Sequence, residues 1–265
     1  MSITVDLCGG LGNQLFQIAT VLCTAKKTGL RPYFPNLYML PQAGNTDRRH
    51  TYYHILNISP DSLSSAPVPE KELIEISEQN GFRFQDIVLQ PGKHYILKGY
   101  FQSYRYLQDL PELLRLSPTD MNRVQELLHP FPGKTRVSIH VRHGDYLRLQ
   151  HFHNVLSLDY YRKAWELIQK PGEEYDVLLF SDDPEWCRKN FSWIPNARII
   201  QETDYVELYL MSQCKHNIIA NSSFSWWGEY LNRNPDKRVV YPSRWIQYNV
   251  DISDLIPAGW FRVEV

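Results

Sequence analysis

Short apolar runs alternate along this chain with segments whose apolar positions recur at helical spacing. "ITVDLC" (Ile3–Cys8) is a compact apolar run that ends in glycines. "NQLFQIATVLCTAKKTG" follows with apolar residues every third or fourth position and stops at Gly29. The pair predicts a strand, a glycine turn and a helix, the first half of a βαβ unit. Two polar, proline-spotted stretches, "PNLYMLPQAGNTDRRH" and "DSLSSAPVPE", predict loops. "KHYILKGYF" predicts a strand, and "DLPELLRLSPTDMNRVQELLHPFPGK" predicts two helices divided at Ser117-Pro118.

Pro130, Pro132 and Gly133 mark a change of rhythm. Beyond them "TRVSIHVR", "YDVLLFS", "ARII", "NIIAN" and "KRVVYP" predict strands. Between these, "SLDYYRKAWELIQK", "DPEWCRKN", "DYVELYLMSQCK" and "SFSWWGEYLN" predict helices. Such regular alternation predicts a parallel sheet with helices on both faces. The expected fold class is α/β, with two Rossmann-like halves facing a cleft. Residues 1–133 form one half and 134–265 the other, the C-terminal tail being free to pack back on the first.

Composition narrows the function. The net charge of -1 lacks the basic excess of a protein that holds nucleic acid by its phosphates, so no nucleic-acid partner is expected. Aromatics make up 13 % of the chain, enough to fill a core or to line a cleft that stacks on a sugar or a base. No apolar run is long enough to cross a bilayer, and "MSITVDLCGG" lacks a basic leader, so a cytoplasmic protein without a membrane anchor is expected. The four cysteines show no Cys-x-x-Cys pair and are expected to be reduced thiols, with no metal site.

In a parallel α/β sheet ligands gather at the carboxyl ends of the strands, and four motifs fall at such ends. "GGLGNQ" (Gly9–Gln14) resembles a dinucleotide loop, but Leu15 stands where the third glycine belongs. Gly10 and Gly12 allow a ligand close to the backbone, with Asn13 and Gln14 as hydrogen bonders; the plain alternative is a tight turn. In "HVRHGDY", Arg142 can grip two phosphate oxygens, His140 shares its face, and Asp145 can orient Arg142 or abstract a proton. The plain alternative is a surface ion pair. "FSDD" supplies Asp182 and Asp183; the Asp-x-Asp spacing of a metal site is missing. In "NSSFS", Asn221, Ser222, Ser223 and Ser225 stand at a helix N-terminus, where free N–H groups suit an anion such as a diphosphate. Trp226 and Trp227 would anchor that helix. Glu207 has the chemistry to accept two hydrogen bonds from guanine, or is simply a solvated helix residue.

"GGLGNQLFQIA", "LKGYFQSYRYL", "VSIHVRHGDYL", "FSDD" and "LMSQCKHNIIANSSFSWWGEYLN" together resemble the α-1,2-fucosyltransferases of glycosyltransferase family 11, from Gly9 to about Pro242. The resemblance implies a GT-B-like fold with the donor in the C-terminal half. It implies an inverting enzyme that moves L-fucose from GDP-β-L-fucose to a galactose-type hydroxyl of a glycan acceptor in α-1,2 linkage, with no cofactor and no metal. By motif, Arg142 clamps the diphosphate, His140 seats the nucleoside, and Asp182 or Asp183 contacts the donor or holds Arg142. Ser222, Ser223 and Phe224 face the phosphates, Glu207 reads guanine, and Asn13 lies near the reacting sugar. Asp145 is the first candidate for a base; the departing phosphate is the alternative. Tyr100, Phe101, Gln102 and Tyr104 are acceptor-side candidates, with the loops between Asn36 and Pro69. The sequence departs from the family pattern where His143 replaces a second arginine and Glu207 an aspartate. A transferase of another GDP-sugar, a catalytically weakened binding protein of the same fold, and an NAD(P)-dependent oxidoreductase are the competing readings.

Overall fold

A computed structural model describes residues 1–35, 37, 52–63, 68–130 and 133–265. Most of the two predicted loops, and with them most of the expected acceptor-side segment between Asn36 and Pro69, lies outside the described residues. The chain divides into two compact units. One comprises Met1–Ser117 with Asp251–Pro257, the other Pro118–Val250 with Ala258–Val265.

The first unit contains β1 (Ser2–Val5), α1 (Leu11–Thr28), β2 (Arg31–Pro32), α2 (Pro60–Leu63), β3 (Leu73–Ser77) and β4 (His94–Lys98). Its sheet has the order β2-β1-β4-β3, with every pairing parallel. α1 is buried almost all round, and each large side chain taken from water, such as Phe16, Ile18 or Val21, contributes about 1.5–3 kcal/mol. It stops at Gly29, which takes a left-handed conformation (φ 72°) and donates its N–H to the Ala25 carbonyl at 2.8 Å. Pro60 opens α2, which runs into a stretch expected to be loop from Asp61, because proline suits a first helical turn.

The expected helix over Asp109–Leu116 is absent, and this corrects the sequence reading. The segment runs extended, with a bridge between Leu114 and Leu56 and hydrogen bonds from Asn57 N–H to the Leu113 carbonyl and from Arg115 N–H to the Ile55 carbonyl. Pro111 removes a backbone donor, and the two leucines are buried as strand-like neighbours, so tertiary pairing overrides the helical spacing.

The second unit contains α3 (Pro118–Leu128), β5 (Thr135–Val141), α4 (Gly144–Arg148), α5 (Leu158–Ile168), β6 (Tyr175–Ser181) and α6 (Pro184–Asn190). It continues with β7 (Arg198–Ile200), α7 (Asp204–Ser212), β8 (His216–Ile218), α8 (Ser223–Tyr230), β9 (Val239–Pro242) and β10 (Phe261–Val263). The sheet order is β10-β9-β8-β5-β6-β7, again wholly parallel. Val137, Ile139 and Val141 of β5 are fully buried, as a central parallel strand requires. The unit boundary falls at Ser117–Pro118, ahead of Gly133, because α3 is tied into the second sheet. Arg136 and Arg198 donate to the Leu128 and Leu127 carbonyls, and Arg123 pairs with Glu202 at 2.7 Å. After β9 the chain contributes Asp251–Pro257 to the first unit and returns to pair β10 with β9.

Candidate active site

All strands of the second sheet run the same way, so their carboxyl ends share one edge. β5 delivers Arg142 and His143 there, β6 delivers Asp182 and Asp183, and β8 leads into the mouth of α8. Arg142 is largely enclosed and lies between two carboxylates. It pairs with Asp145 Oδ2, and its Nε stands 3.5 Å from Asp182 Oδ2. Burial opposes its charge, but Asp182 and Asp145 outweigh that and push its pKa above the ordinary arginine value. This is a preorganised guanidinium rather than a solvated surface pair.

Asp182 is the organiser of the edge. Its Oδ1 accepts the His143 N–H at 2.9 Å and its Oδ2 the Asp145 N–H at 3.2 Å. Burial alone would raise its pKa, but Arg142 and the amides of residues 143, 145 and 144 pull it down to about 2. The sequence left open which aspartate holds Arg142, and the structure assigns this to Asp182. Asp183 instead caps α6, accepting the Trp186 N–H at 3.0 Å. That bond and the His143 side chain hold its carboxyl below the usual range.

His143 is engaged by α6. Its Nδ1 is 2.9 Å from Asp183 Oδ2, and its ring stacks on Trp186 at 4.3 Å with 22° between planes. The side chain fills a slot on α6, away from Arg142. Asp145 gives Oδ2 to Arg142, while its Oδ1 is buried with no hydrogen-bond partner. Its geometry is that of a group that orients the guanidinium.

The serine-rich mouth sorts into three roles. Ser222 is the N-cap of α8, accepting the Phe224 N–H at 3.3 Å. Ser225 is turned inward and donates to the Ala220 and Ser222 carbonyls. Asn221, 1 % exposed, donates to the Asn154 carbonyl at 2.9 Å and the Trp245 carbonyl at 2.8 Å, so it fastens two loops. Ser223 and Phe224 remain half-buried at the mouth, and Phe224 lies 5.4 Å from the His140 ring. Trp226 and Trp227 are both 0 % exposed, and Trp226 stacks on Tyr230 at 4.6 Å, so they seat the helix as expected. Gly228 is required where α8 crosses α7, since a Cβ there would stand 2.7 Å from Met211 Cβ.

Tyr146 received no role from the sequence, although it stands within a quoted motif. Its ring lies 5.6 Å from the Arg142 guanidinium, and its hydroxyl donates to the Asn221 carbonyl at 2.9 Å. It therefore joins the arginine motif to the serine motif. The alternation of polar and apolar residues in "HVRHGDY" carried no signal for this bridge. Glu207 sits in the first turn of α7, half-buried, and its Oε1 accepts the Glu202 N–H at 3.1 Å.

In the first unit the side chains of the glycine motif are neutral. Asn13 Oδ1 accepts from Gln102 Nε2 at 2.7 Å, and Gln14 Nε2 donates to the Gly9 carbonyl at 2.9 Å. Gly9 holds φ 78° with the Asn13 amide where a Cβ would stand. Gly10 is the N-cap position of α1, and Gly12 is buried in its first turn. Gln14 is thus occupied in shaping the loop. Phe101 is 0 % exposed and packs edge-on against Tyr106, so its ring belongs to the core and presents no rim. Tyr100 is exposed and Tyr104 half-buried.

The family model for glycosyl transferase family 11 matches residues 1–249. The chain belongs to glycosyl transferase family 11. It is 32 % identical to the Escherichia coli O-antigen biosynthesis glycosyltransferase WbnK, over 97 % of this chain and 99 % of that protein. It is also 32 % identical to an α-1,2-colitosyltransferase of the same species, over 63 % of this chain and 61 % of the relative. Among solved structures, the fucosyltransferase NodZ from Bradyrhizobium shares the fold, with a TM-score of 0.57 at 14 % identity over 87 % of this chain and 92 % of NodZ. The fold is GT-B-like, and the enzyme is a glycosyltransferase. Among the described residues no helix is long and apolar enough to cross a membrane, and no three His, Cys, Asp or Glu side chains cluster in reach of one metal ion.

Proposed function

We propose that this glycosyltransferase moves L-fucose from GDP-β-L-fucose to a galactose-type hydroxyl, with inversion, giving an α-1,2 linkage. The observation that carries the reading is Arg142, enclosed and oriented by Asp145 and Asp182 at the carboxyl edge of β5, with the half-buried Ser223 at the mouth of the next strand's helix. A fixed guanidinium and a helix N-terminus at one sheet edge suit a diphosphate. As the acceptor hydroxyl attacks the anomeric carbon, the bond to GDP breaks and negative charge grows on the departing phosphate. Stabilising that charge is the largest expected contribution. Asp145 and Tyr146 position Arg142, while the proton passes to the leaving phosphate or to a carboxylate at this edge. Both aspartates of "FSDD" are already engaged by protein donors, which supports a metal-independent reaction. Glu207 is assigned to the guanine edge, and Asn13, Tyr100 and Gln102 to the acceptor.

Likeness to a colitosyltransferase favours one specific alternative, in which the donor carries colitose. Turnover of GDP-fucose and GDP-colitose compared side by side, with a β-galactoside acceptor and linkage analysis of the product, tests the choice. Preferred use of GDP-colitose would replace the fucose assignment. Glu207→Gln should weaken GDP binding by about 1–3 kcal/mol, and unchanged calorimetric affinity would remove Glu207 from the site.

A further inference from the structure

The loop that follows β9 is not used by any motif above, yet it surrounds a pocket of about 350 Å³ lined by residues 243–245 and 247–250. That volume lies at the lower end of the range of roughly 300–1,000 Å³ for small-ligand sites. Its setting is rigid. Asn221 holds the Trp245 carbonyl, and the Gln247 N–H donates to the Phe152 carbonyl at 2.9 Å. Its surface, by contrast, is uncommitted. Arg244, Asn249 and the Tyr248 hydroxyl are exposed and take part in no hydrogen bond or ion pair among the described residues. Two large rings face water beside them: Tyr248 is 58 % exposed and Phe152 42 %, edge to face at 6.1 Å.

Strand order says which end of the reaction this pocket serves. Along the carboxyl edge the sequence is β7, β6, β5, β8, β9. The proposed guanine contact follows β7, and the proposed diphosphate contacts follow β6, β5 and β8. The place after β9 continues that line on the side away from the nucleoside. We propose that the 243–250 pocket is a saccharide subsite for the acceptor glycan, with Tyr248 and Phe152 as a stacking platform. Arg244, Gln247 and Asn249 supply its hydroxyl partners. A pyranose has the matching chemistry: an apolar C–H face for a ring and a rim of hydroxyls for amide and guanidinium donors. The inference rests on the glycosyltransferase reading above and deepens it.

The test is a printed array of β-galactoside glycans probed with the full chain in the presence of GDP, paired with calorimetric titration of GDP alone. Wild type should bind a subset of the glycans. Tyr248→Ala and Phe152→Ala should each weaken that binding roughly 10-fold while leaving GDP affinity unchanged, and Tyr248→Phe should keep most of it. Undiminished glycan binding by Tyr248→Ala would overturn the subsite. So would a parallel loss of GDP affinity, which would give the pocket to the donor, or a wild type that binds GDP but no glycan. A wild type that does not bind GDP would bring down the donor assignment itself, and the subsite with it.

Discussion

The motif loops at the carboxyl edges of the two sheets are built from different materials. In the second unit the edge is ionic: Arg142 between Asp145 and Asp182, and His143 on Asp183. In the first unit the loop after β1 presents neutral amides, while Glu78 beyond β3 accepts the Tyr100 N–H at 2.8 Å and Lys98 at the end of β4 pairs with Glu75 at 2.7 Å. Asn13 is bonded to Gln102, Gln14 to the Gly9 carbonyl, and Gln17 to the Gly99 carbonyl at 2.9 Å and to the Cys8 N–H at 3.1 Å. Both loops follow parallel strands, so strand direction does not explain the difference. Side-chain chemistry does. Buried charge demands a counter-charge, from partners such as Asp145 and Asp182 or from a charged ligand, whereas amides discriminate hydroxyls without one. Under the proposed reaction the ionic loop suits the anionic leaving group.

Breaking the ionic edge should give the largest effect. Arg142→Ala should lower kcat by about 100- to 1000-fold, and Arg142→Lys should recover only part, since an ammonium lacks the planar fork. Steady-state kinetics decide this, and near-normal turnover by Arg142→Ala would dissolve the contrast.

A second effect appears in stability. The folded-state pKa of Asp182 is about 2, lowered from 3.8, so its contribution is present above pH 4 and is lost as pH falls toward 2. The shift corresponds to about 2 kcal/mol. Denaturant unfolding across this window should show wild type losing about that amount more than Asp182→Asn, which is already weaker at neutral pH. A parallel pH dependence in the two proteins would mean that Arg142 and the three amides do not hold the carboxylate in solution.

The neutral loop answers to a different readout. Asn13→Ala should raise the KM for a β-galactoside acceptor roughly 5-fold, by loss of about 1 kcal/mol of hydrogen bonding. It should leave GDP affinity alone. A shift in GDP affinity instead would erase the contrast between the two loops.

The smallest effect is expected at His143, which the sequence marks as a missing arginine. Because its ring occupies the Trp186–Asp183 slot, His143→Arg should stack on the same tryptophan, pair with the same carboxylate, and change kcat by less than about threefold. A large gain in kcat would show that the position does reach the leaving group.

Much of this was legible in the chain. Short apolar runs ending in Gly9, Arg142, Asp182 and Asn221 foretold parallel strands, since only strands buried on both faces are apolar throughout and only their carboxyl ends collect such polar motifs. The glycine stop of α1 and the tryptophan anchor of α8 were legible as well, because both are local: one needs a left-handed residue, the other a large apolar face. Tertiary structure decided the rest, because the deciding partners are distant in sequence. Leucine spacing over Asp109–Leu116 looks helical until Leu56 pairs with Leu114. Four polar residues at one helix mouth look alike until Asn154 and Trp245 claim Asn221 and the Ala220 carbonyl claims Ser225. Two adjacent aspartates are equivalent on paper, and become organiser and cap once Arg142 and the start of α6 stand beside them. The sequence by itself determined which chemical groups reach the sheet edge; packing between remote segments determined which of them are used up in holding that edge together.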